Sequence, residues 1–178
     1  QQLFTMKNLV FFLALLCSTS LVAQFSFNEN GTGIQSSSST ASGLYSTAMG
    51  IETTASGDYS TAMGISTTAS GFYSTAMGFV TTASGTYSTA MGSVTIASGY
   101  YSTASGRATT AEDYGTTAIG LFNKTKETPN PDIFSYQNTA FVIGNGVSDN
   151  RSNALEVLFD GSTTIAGNVT APAFIGDG

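Results

Sequence analysis

The chain has 178 residues and a formal net charge of −6, with only 9% charged residues and no histidine. Its apolar and β-branched content is too high for a disordered chain. Its few Lys and Arg residues exclude the basic surface that nucleic-acid binding requires. Without histidine, Ser-His-Asp and Cys-His catalytic groups are excluded, as are most zinc sites. The composition therefore predicts a non-enzymatic protein with no cofactor and no metal.

Residues 1–23 are predicted to be a secretory signal peptide. Lys7 precedes an apolar run over residues 9–16, and small and polar residues lead to a cleavage site after Ala23. The alternative, a membrane anchor, is disfavoured because the run is far shorter than the roughly 20 residues that span a bilayer. Cys17, the single cysteine, leaves with this segment, so the secreted chain has no disulfide. We expect a secreted or cell-surface chain that does not itself span the membrane and begins with a lead-in over residues 24–38.

A 14-residue repeat fills residues 39–120. Glycines recur with this period in two series offset by seven residues, and most units carry one tyrosine and one methionine. One full unit, residues 59–72, reads YSTAMGISTTASGF. The two glycine series are Gly43, Gly57, Gly71, Gly85 and Gly99, and Gly50, Gly64, Gly78, Gly92, Gly106 and Gly120.

Each half of the repeat predicts a short strand followed by a bend. Threonine and serine suit a strand here, whereas glycine suits a bend that needs a positive φ or a close approach between backbones. Glycine at every seventh position disfavours a helix, because each costs about 1 kcal/mol relative to alanine. Two strands and two bends describe one coil of a narrow all-β solenoid, a parallel β-roll whose coils stack about 4.8 Å apart.

Alternation along the strands separates the inside of this roll from two outer faces. Ala48 and Ala55 are expected to point inward, where only small side chains fit. Met49 then lies on one outer face, whereas Thr54 and Ser56 lie on the other. One face is therefore apolar and the other hydroxylated.

The apolar face predicts a trimer interface. A roll filled with small side chains buries little apolar area, and burial of each methionine contributes roughly 1.5–3 kcal/mol, about 18–36 kcal/mol gross for four methionines in each of three chains. Ile51, Ile65 and Phe79 are expected in the bends, where they form part of a separate, partly apolar lateral surface that is a second candidate for an intersubunit seam. The alternative is a thicker monomeric solenoid that encloses the methionines. The predicted interface residues are Met49, Met63, Met77 and Met91.

The units resemble the head repeats of trimeric autotransporter adhesins, the YadA-like head. In that family, a 14-residue motif with small residues and paired glycines forms a left-handed parallel β-roll, and three rolls pack about one axis. The family's ligand-associated motif reads NSVAIGxxS, where residues 45–53 of this chain read YSTAMGIET. Because Asn, Val and Ile are replaced, the resemblance implies the fold, a homotrimer and a place on the bacterial surface at the outer membrane, but not collagen binding.

Residues 121–178 are predicted to form a small β cap. Residues 123–132, with Pro129 and Pro131, are typical of an exposed loop. Stretches 139–143, 154–159, 163–166 and 169–175 suit strands, and Asp160 and Gly161 suit a hairpin turn. The region resembles parts of tail-fibre-like secreted proteins of Bacteroidetes-type bacteria, which implies that a further segment follows Gly178.

A column of tyrosines is the predicted ligand contact. Stacked at one coil spacing, the phenols form an amphipathic strip suited to a protein or a glycan. The alternative is that they pack against a neighbouring protomer. The column comprises Tyr45, Tyr59, Tyr73, Tyr87 and Tyr101.

These features predict a surface adhesin that binds an extracellular ligand through many weak contacts. A passive spacer within a fibre is one alternative. An ice-binding solenoid is another, because regular ranks of hydroxyl and methyl groups can order water. Its rank would be Thr54, Thr68, Thr82 and Thr110, interrupted by Ile96.

Overall fold

The computed structural model describes residues 25–28 and 31–170, and this part of the chain is all-β. Its strands form a large sheet and a small sheet. In spatial order, the large sheet contains β1 (Phe25–Phe27), β2 (Ile34–Ser36), β4 (Thr47–Ile51), β6 (Thr61–Ile65), β8 (Thr75–Phe79), β10 (Thr89–Ser93), β12 (Thr103–Arg107), β14 (Thr117–Leu121), β15 (Thr139–Asn145), β16 (Asn153–Leu158) and β17 (Thr163–Ile165). The small sheet contains β3 (Thr40–Ala41), β5 (Thr54–Ala55), β7 (Thr68–Ala69), β9 (Thr82–Ala83), β11 (Ile96–Ala97) and β13 (Thr110–Ala111).

The repeats form a parallel β-solenoid of about six turns with coils of about 14 residues, which confirms the predicted roll. β6 pairs with β8 in parallel, with Met63 opposite Met77, and β7 pairs with β9, with Ala69 opposite Ala83. Because the pairing offset equals one repeat, each position of the unit forms a column along the roll.

The two halves of a coil are less alike than their sequences predict. β6 has five residues and continues through Gly64 to Ile65, whereas β7 has two residues and ends before Gly71. The chain turns at Gly71 in the second case, so the same residue type lies inside a strand in one half and in a bend in the other. The large sheet therefore provides the broader outer face.

Columns of alanine form the core of the roll. Ala62 on β6 and Ala69 on β7 point inward and are 0% exposed, as predicted for the equivalent Ala48 and Ala55. Ser60 and Thr67 share this interior and are also buried. The interior thus contains only small side chains, so single coils bury little apolar surface and depend on stacking.

Replacing the buried Thr67 with valine is expected to raise the free energy of unfolding by about 1–3 kcal/mol. The Thr67 hydroxyl is buried and has no hydrogen-bond partner among the described residues, so valine keeps the shape and removes a desolvated polar group. Urea denaturation measures the change. Thr68→Val on the outer face is the matched control, with an expected change within about 0.5 kcal/mol. A destabilised Thr67→Val protein would show that the hydroxyl is bonded in solution.

The N-terminal end of the roll is a hairpin within the predicted lead-in. β1 pairs antiparallel with β2, which in turn pairs in parallel with β4. The Asn28 side-chain oxygen accepts hydrogen bonds from the backbone N–H groups of Thr32 and Gly33 at 2.9 and 3.0 Å. The lead-in thus contributes strands to the large sheet, while the predicted signal peptide lies outside the described residues.

The C-terminal end continues the large sheet. β15 pairs in parallel with β14, and β16 and β17 follow in antiparallel order. These strands match the predictions at 139–143, 154–159 and 163–166 to within two residues at each end. Residues 169–170 lie outside any strand, and the rest of the strand predicted at 169–175 lies outside the described residues.

The predicted hairpin turn at Asp160 and Gly161 is confirmed. Gly161 has a φ of +88° and connects β16 to β17. Its N–H donates to the carbonyl of Leu158 at 3.1 Å, and the Leu158 N–H donates to the carbonyl of Ser162 at 2.9 Å. Hydrogen bonds from Ser162 lower the pKa of the Asp160 carboxyl below its ordinary value.

The loop predicted to be exposed at residues 123–132 is buried at its first residue, which corrects that prediction. Asn123 is only 2% exposed. Its side-chain oxygen accepts a hydrogen bond from the Thr110 N–H at 2.7 Å, and its amide nitrogen donates to the Thr110 carbonyl at 2.9 Å. The side chain thus takes the place of a further strand at the open edge of β13, where unpaired backbone groups would otherwise remain.

Asp113 stands where earlier coils have a glycine. It is 1% exposed, and its carboxylate accepts hydrogen bonds from the N–H groups of Asn130 and Thr139 at 2.7 and 2.9 Å. The Lys126 ammonium lies 2.6 Å from it, so the buried charge is paired. A side chain fits at this position because β13 is the last strand of the small sheet and no further repeat coil of the described chain stacks against it, and Asp113 joins the last coil to the cap.

Candidate functional site

The outer face of the large sheet carries the predicted methionine column. On β6, Thr61, Met63 and Ile65 alternate with the inward-facing Ala62. Met63 is 37% exposed, and the other three methionines are half-buried. The alternative in which the solenoid encloses these side chains is wrong, because the interior is filled by alanine, serine and threonine. In register, the column runs Met49, Met63, Met77, Met91, Ser105, Ile119 and Ile143.

A second column lies beside the methionines, at the last position of the large-sheet strands from β4 to β14, and it is apolar except at Ser93 and Arg107. Its apolar side chains are more exposed than Met63, with values of 54% for Ile51, 44% for Ile65, 51% for Phe79 and 49% for Leu121. The sequence pattern predicts bends at Ile51, Ile65 and Phe79, and the structure corrects this, because strands β4, β6 and β8 continue through the glycine and end on these residues. We call the following set the apolar face: Met49, Met63, Met77, Met91, Ile51, Ile65, Phe79 and Leu121.

The predicted tyrosine column is a continuous stack of five rings, which we call the tyrosine ladder. From Tyr45 to Tyr101, successive ring centroids are 5.3, 4.7, 5.2 and 5.0 Å apart, and no pair of ring planes differs by more than 23°. The side chains remain 43–60% exposed. Because the inner rings cover one another's faces, what they offer to a ligand is their edges and hydroxyl groups.

Every tyrosine of the ladder adopts a left-handed backbone conformation, with φ between 54 and 57°. This conformation costs a residue other than glycine about 1–2 kcal/mol. Hydrogen bonds between coils support it: the Tyr59 N–H donates to the Leu44 carbonyl at 2.7 Å, and the Tyr73 N–H donates to the Asp58 carbonyl at 2.9 Å. Sequence reasoning considered positive φ only for glycines and missed this feature. The available signal was that tyrosine always follows two residues after a glycine.

Aromatic contacts extend the ladder into the cap. The Tyr101 ring lies 5.4 Å from Tyr114, which lies 6.2 Å from Phe134, and Phe134 lies 5.2 Å from Phe159, as measured between ring centroids. These contacts are edge-to-face, unlike the parallel stack in the ladder. The roll and the cap therefore share one aromatic strip.

The outer face of the small sheet is hydroxylated, as predicted. Thr54, Thr68 and Thr82 are half-buried and stand in register, followed by Ile96, which is 41% exposed, and then by Thr110. Each small-sheet strand contributes only two residues, so this face is a narrow ribbon.

A cavity of about 310 Å³ lies at the junction of roll and cap, with Glu112, Asp113, Lys126 and Glu156 among its lining residues. Burial raises the pKa of the Glu112 carboxyl above its ordinary value, although a hydrogen bond from the Lys126 N–H opposes the rise. Glu156 accepts a hydrogen bond from the Thr139 hydroxyl at 3.1 Å. The carboxylates of Glu112 and Glu156 accept hydrogen bonds from Lys126 and Thr139 at the junction of roll and cap, so we assign both residues a structural role.

Neither a metal cluster nor a membrane-spanning helix occurs in the described residues. No three Asp, Glu, His or Cys side chains within 25–28 and 31–170 are grouped so that they could hold a metal ion. No helix in this same part is long and apolar enough to cross a membrane.

Comparison with protein-family models identifies the repeats. The model for the YadA head domain repeat (2 copies) matches residues 41–67, 69–94 and 97–123, each range spanning about two coils. A search of curated proteins found no match. Heads of this family are structural adhesin domains rather than enzymes. Matched ranges and coil geometry agree: residues 41–123 consist of YadA-like head repeats that form a parallel β-roll.

Proposed function

We propose that this chain is a secreted, non-enzymatic adhesin head that forms a homotrimer and binds an extracellular protein, glycan or other surface. The observation that carries the proposal is the register of the coils, which repeats the same side chains at every turn on each outer face. Such a surface binds through many equivalent contacts, each of which can be weak. The match to an adhesin-type head supports the same function.

The apolar face supports the trimer. YadA-like heads form homotrimers in general, and an exposed apolar patch on a small protein marks an interaction surface. Ile51 and Phe79 each leave about half of their side chains exposed in the single chain. Packing three such faces about one axis removes this surface from water and supplies apolar burial that the alanine core lacks.

The tyrosine ladder is the proposed ligand contact. Its outward edges and hydroxyl groups can donate and accept hydrogen bonds at one-coil intervals while the ring edges contact apolar groups. A ligand with its own linear repeat, such as a glycan or a fibrous matrix protein, would contact several tyrosines of the ladder at once. The family of the repeats implies a cell-surface location, and cleavage after Ala23 completes the proposed secretion route.

The test is adhesion as a function of coil number. Chains shortened by multiples of 14 residues to two, four and six coils, each held trimeric by a fused coiled coil, should bind arrayed glycans and matrix proteins with strength that rises with length. Residues 121–170 on the same coiled coil are the matched control and should bind weakly. Equal binding at every length, or full binding by the control, would show that the repeats are a passive spacer.

The hydroxylated face of the small sheet favours one other function, ice binding. On this face, Thr54, Thr68 and Thr82 stand in register and present one hydroxyl and one methyl group per coil. The exposed Ile96 interrupts this row of threonines. Thermal hysteresis of freezing in a solution of the protein would support ice binding, and its absence would exclude it.

A further inference from the structure

The tyrosine ladder is a regular array of oxidisable phenols whose successive ring centroids lie 4.7 to 5.3 Å apart. We propose that it is a site of covalent modification, in which hydrogen peroxide and a haem peroxidase link tyrosines of neighbouring coils as dityrosine. The inference concerns the ladder's geometry and stands apart from adhesion. The repeats over residues 39–120 contain no cysteine, so a covalent link between neighbouring coils has to use another side chain.

The ring geometry favours coupling within one chain. Tyr59 and Tyr73 have centroids 4.7 Å apart and ring planes 11° apart. Both side chains are more than 40% exposed, at 44% and 43%. Rotation about the side-chain bonds of two such exposed residues can bring their ortho carbons together, and the parallel register repeats this arrangement at each step of the ladder.

The reaction balances without any group from the protein beyond the two phenols. Peroxidase intermediates take one electron and one proton from each of two tyrosines and leave two phenoxyl radicals, while one hydrogen peroxide is reduced to two waters. The radicals pair to form one carbon–carbon bond between ortho positions. Each ring then returns its ortho hydrogen to its oxygen and recovers the phenol. The protein loses two hydrogen atoms for each link.

Stacking determines which tyrosines react. A radical formed anywhere on the ladder has another phenol next to it, so it meets a partner without leaving the chain. Tyr136 is more exposed, at 66%, but the ring that it contacts belongs to Phe134, which cannot form a phenoxyl radical. Exposure alone would select Tyr136, whereas ladder geometry selects pairs such as Tyr59 and Tyr73.

Each link would fasten one coil to the next. Residues 14 positions apart would be joined by a covalent bond, so the coils could not separate one at a time from an end of the roll. Oxidised protein should therefore resist protease digestion longer and melt at a higher temperature than the untreated protein.

The experiment treats the full secreted chain with a haem peroxidase and hydrogen peroxide, followed by digestion and mass spectrometry. We expect linked peptides that pair Tyr45 with Tyr59, Tyr59 with Tyr73, Tyr73 with Tyr87 and Tyr87 with Tyr101, each lighter by two hydrogen atoms. Unfolding the chain in urea before oxidation should reduce the yield of these links several-fold. Oxidation of Met63 adds one oxygen and is distinguished by mass.

Two variants make the assignment specific. Tyr73→Phe keeps a ring in the stack but removes the phenol, so it should abolish both links to position 73 and leave two pairs, Tyr45 with Tyr59 and Tyr87 with Tyr101. Tyr136→Phe is the matched control and should leave the yield of dityrosine unchanged. Links formed mainly at Tyr136 or between separate chains, or an unchanged yield after unfolding, would overturn the proposal.

Discussion

Gly64→Val is expected to destroy the cooperative fold of the coils around it, at a cost of about 2–5 kcal/mol in free energy of unfolding. Gly64 has a φ of +125°, which a β-branched residue adopts only under strain. A Cβ at this position would also lie closer than 3.0 Å to the carbonyl oxygen of Gly78 in the next coil. That oxygen belongs to the backbone ladder and cannot move away without breaking it. Thermal denaturation followed by circular dichroism measures the loss.

Gly71→Ala separates the two causes of this effect. Gly71 does not have a positive φ, yet an added Cβ would collide with the carbonyl oxygen of Gly85. Gly71→Ala should therefore destabilise the roll through contact alone. Gly167→Ala is the matched control, because nothing lies within 4 Å of a Cβ there, and its melting temperature should not fall. Unchanged melting of both Gly64→Val and Gly71→Ala would mean that the coils stack differently.

Changing Met49, Met63, Met77 and Met91 together to serine is expected to convert the proposed trimer to monomers or unfolded chains. Serine removes the apolar surface at the centre of the apolar face while keeping the strand positions. Analytical ultracentrifugation measures the change in mass. The matched control replaces Thr54, Thr68 and Thr82 with serine on the opposite face and should remain trimeric. A quadruple variant that stays a stable trimer would contradict the assignment of the interface.

The methionines by themselves contribute less to this interface than their number predicts. Met63 is 37% exposed in the single chain, so about 0.5–1 kcal/mol remains to be gained by its full burial. The other three methionines of the column are already half-buried in the single chain. Most of the apolar surface that the proposed trimer would newly bury therefore belongs to the second column. The double change Ile65→Ser and Phe79→Ser should weaken the trimer at least as much as the loss of two methionines.

The repeat by itself determined the architecture. Glycine at every seventh position disfavours a helix, and a 14-residue period places equivalent residues in register once the coils stack. Inward alanines follow from strand alternation, which depends only on local geometry. The hairpin turn at Asp160 and Gly161 is also local, because its residues favour the required conformation.

Features that depend on the neighbouring coil were decided by the tertiary structure. The left-handed conformation of Tyr59 is stabilised by the Leu44 carbonyl of the preceding coil, so its stabilising partner lies outside the local sequence. Likewise, the sequence alone shows Asn123 as a polar loop residue, and only the open edge of β13 makes it a substitute for a strand.

The distinction has one physical reason. Residues close together in sequence decide where strands and bends form and whether a side chain points inward or outward. The sequence therefore determined the roll and its two kinds of outer face. The stacking of the tyrosine rings and the closing of the β13 edge by Asn123 depend on atoms about one coil away along the chain, 14 and 13 residues respectively. Tertiary structure therefore decided that the tyrosines form a ladder and that isoleucine, phenylalanine and leucine exceed methionine in exposure on the apolar face.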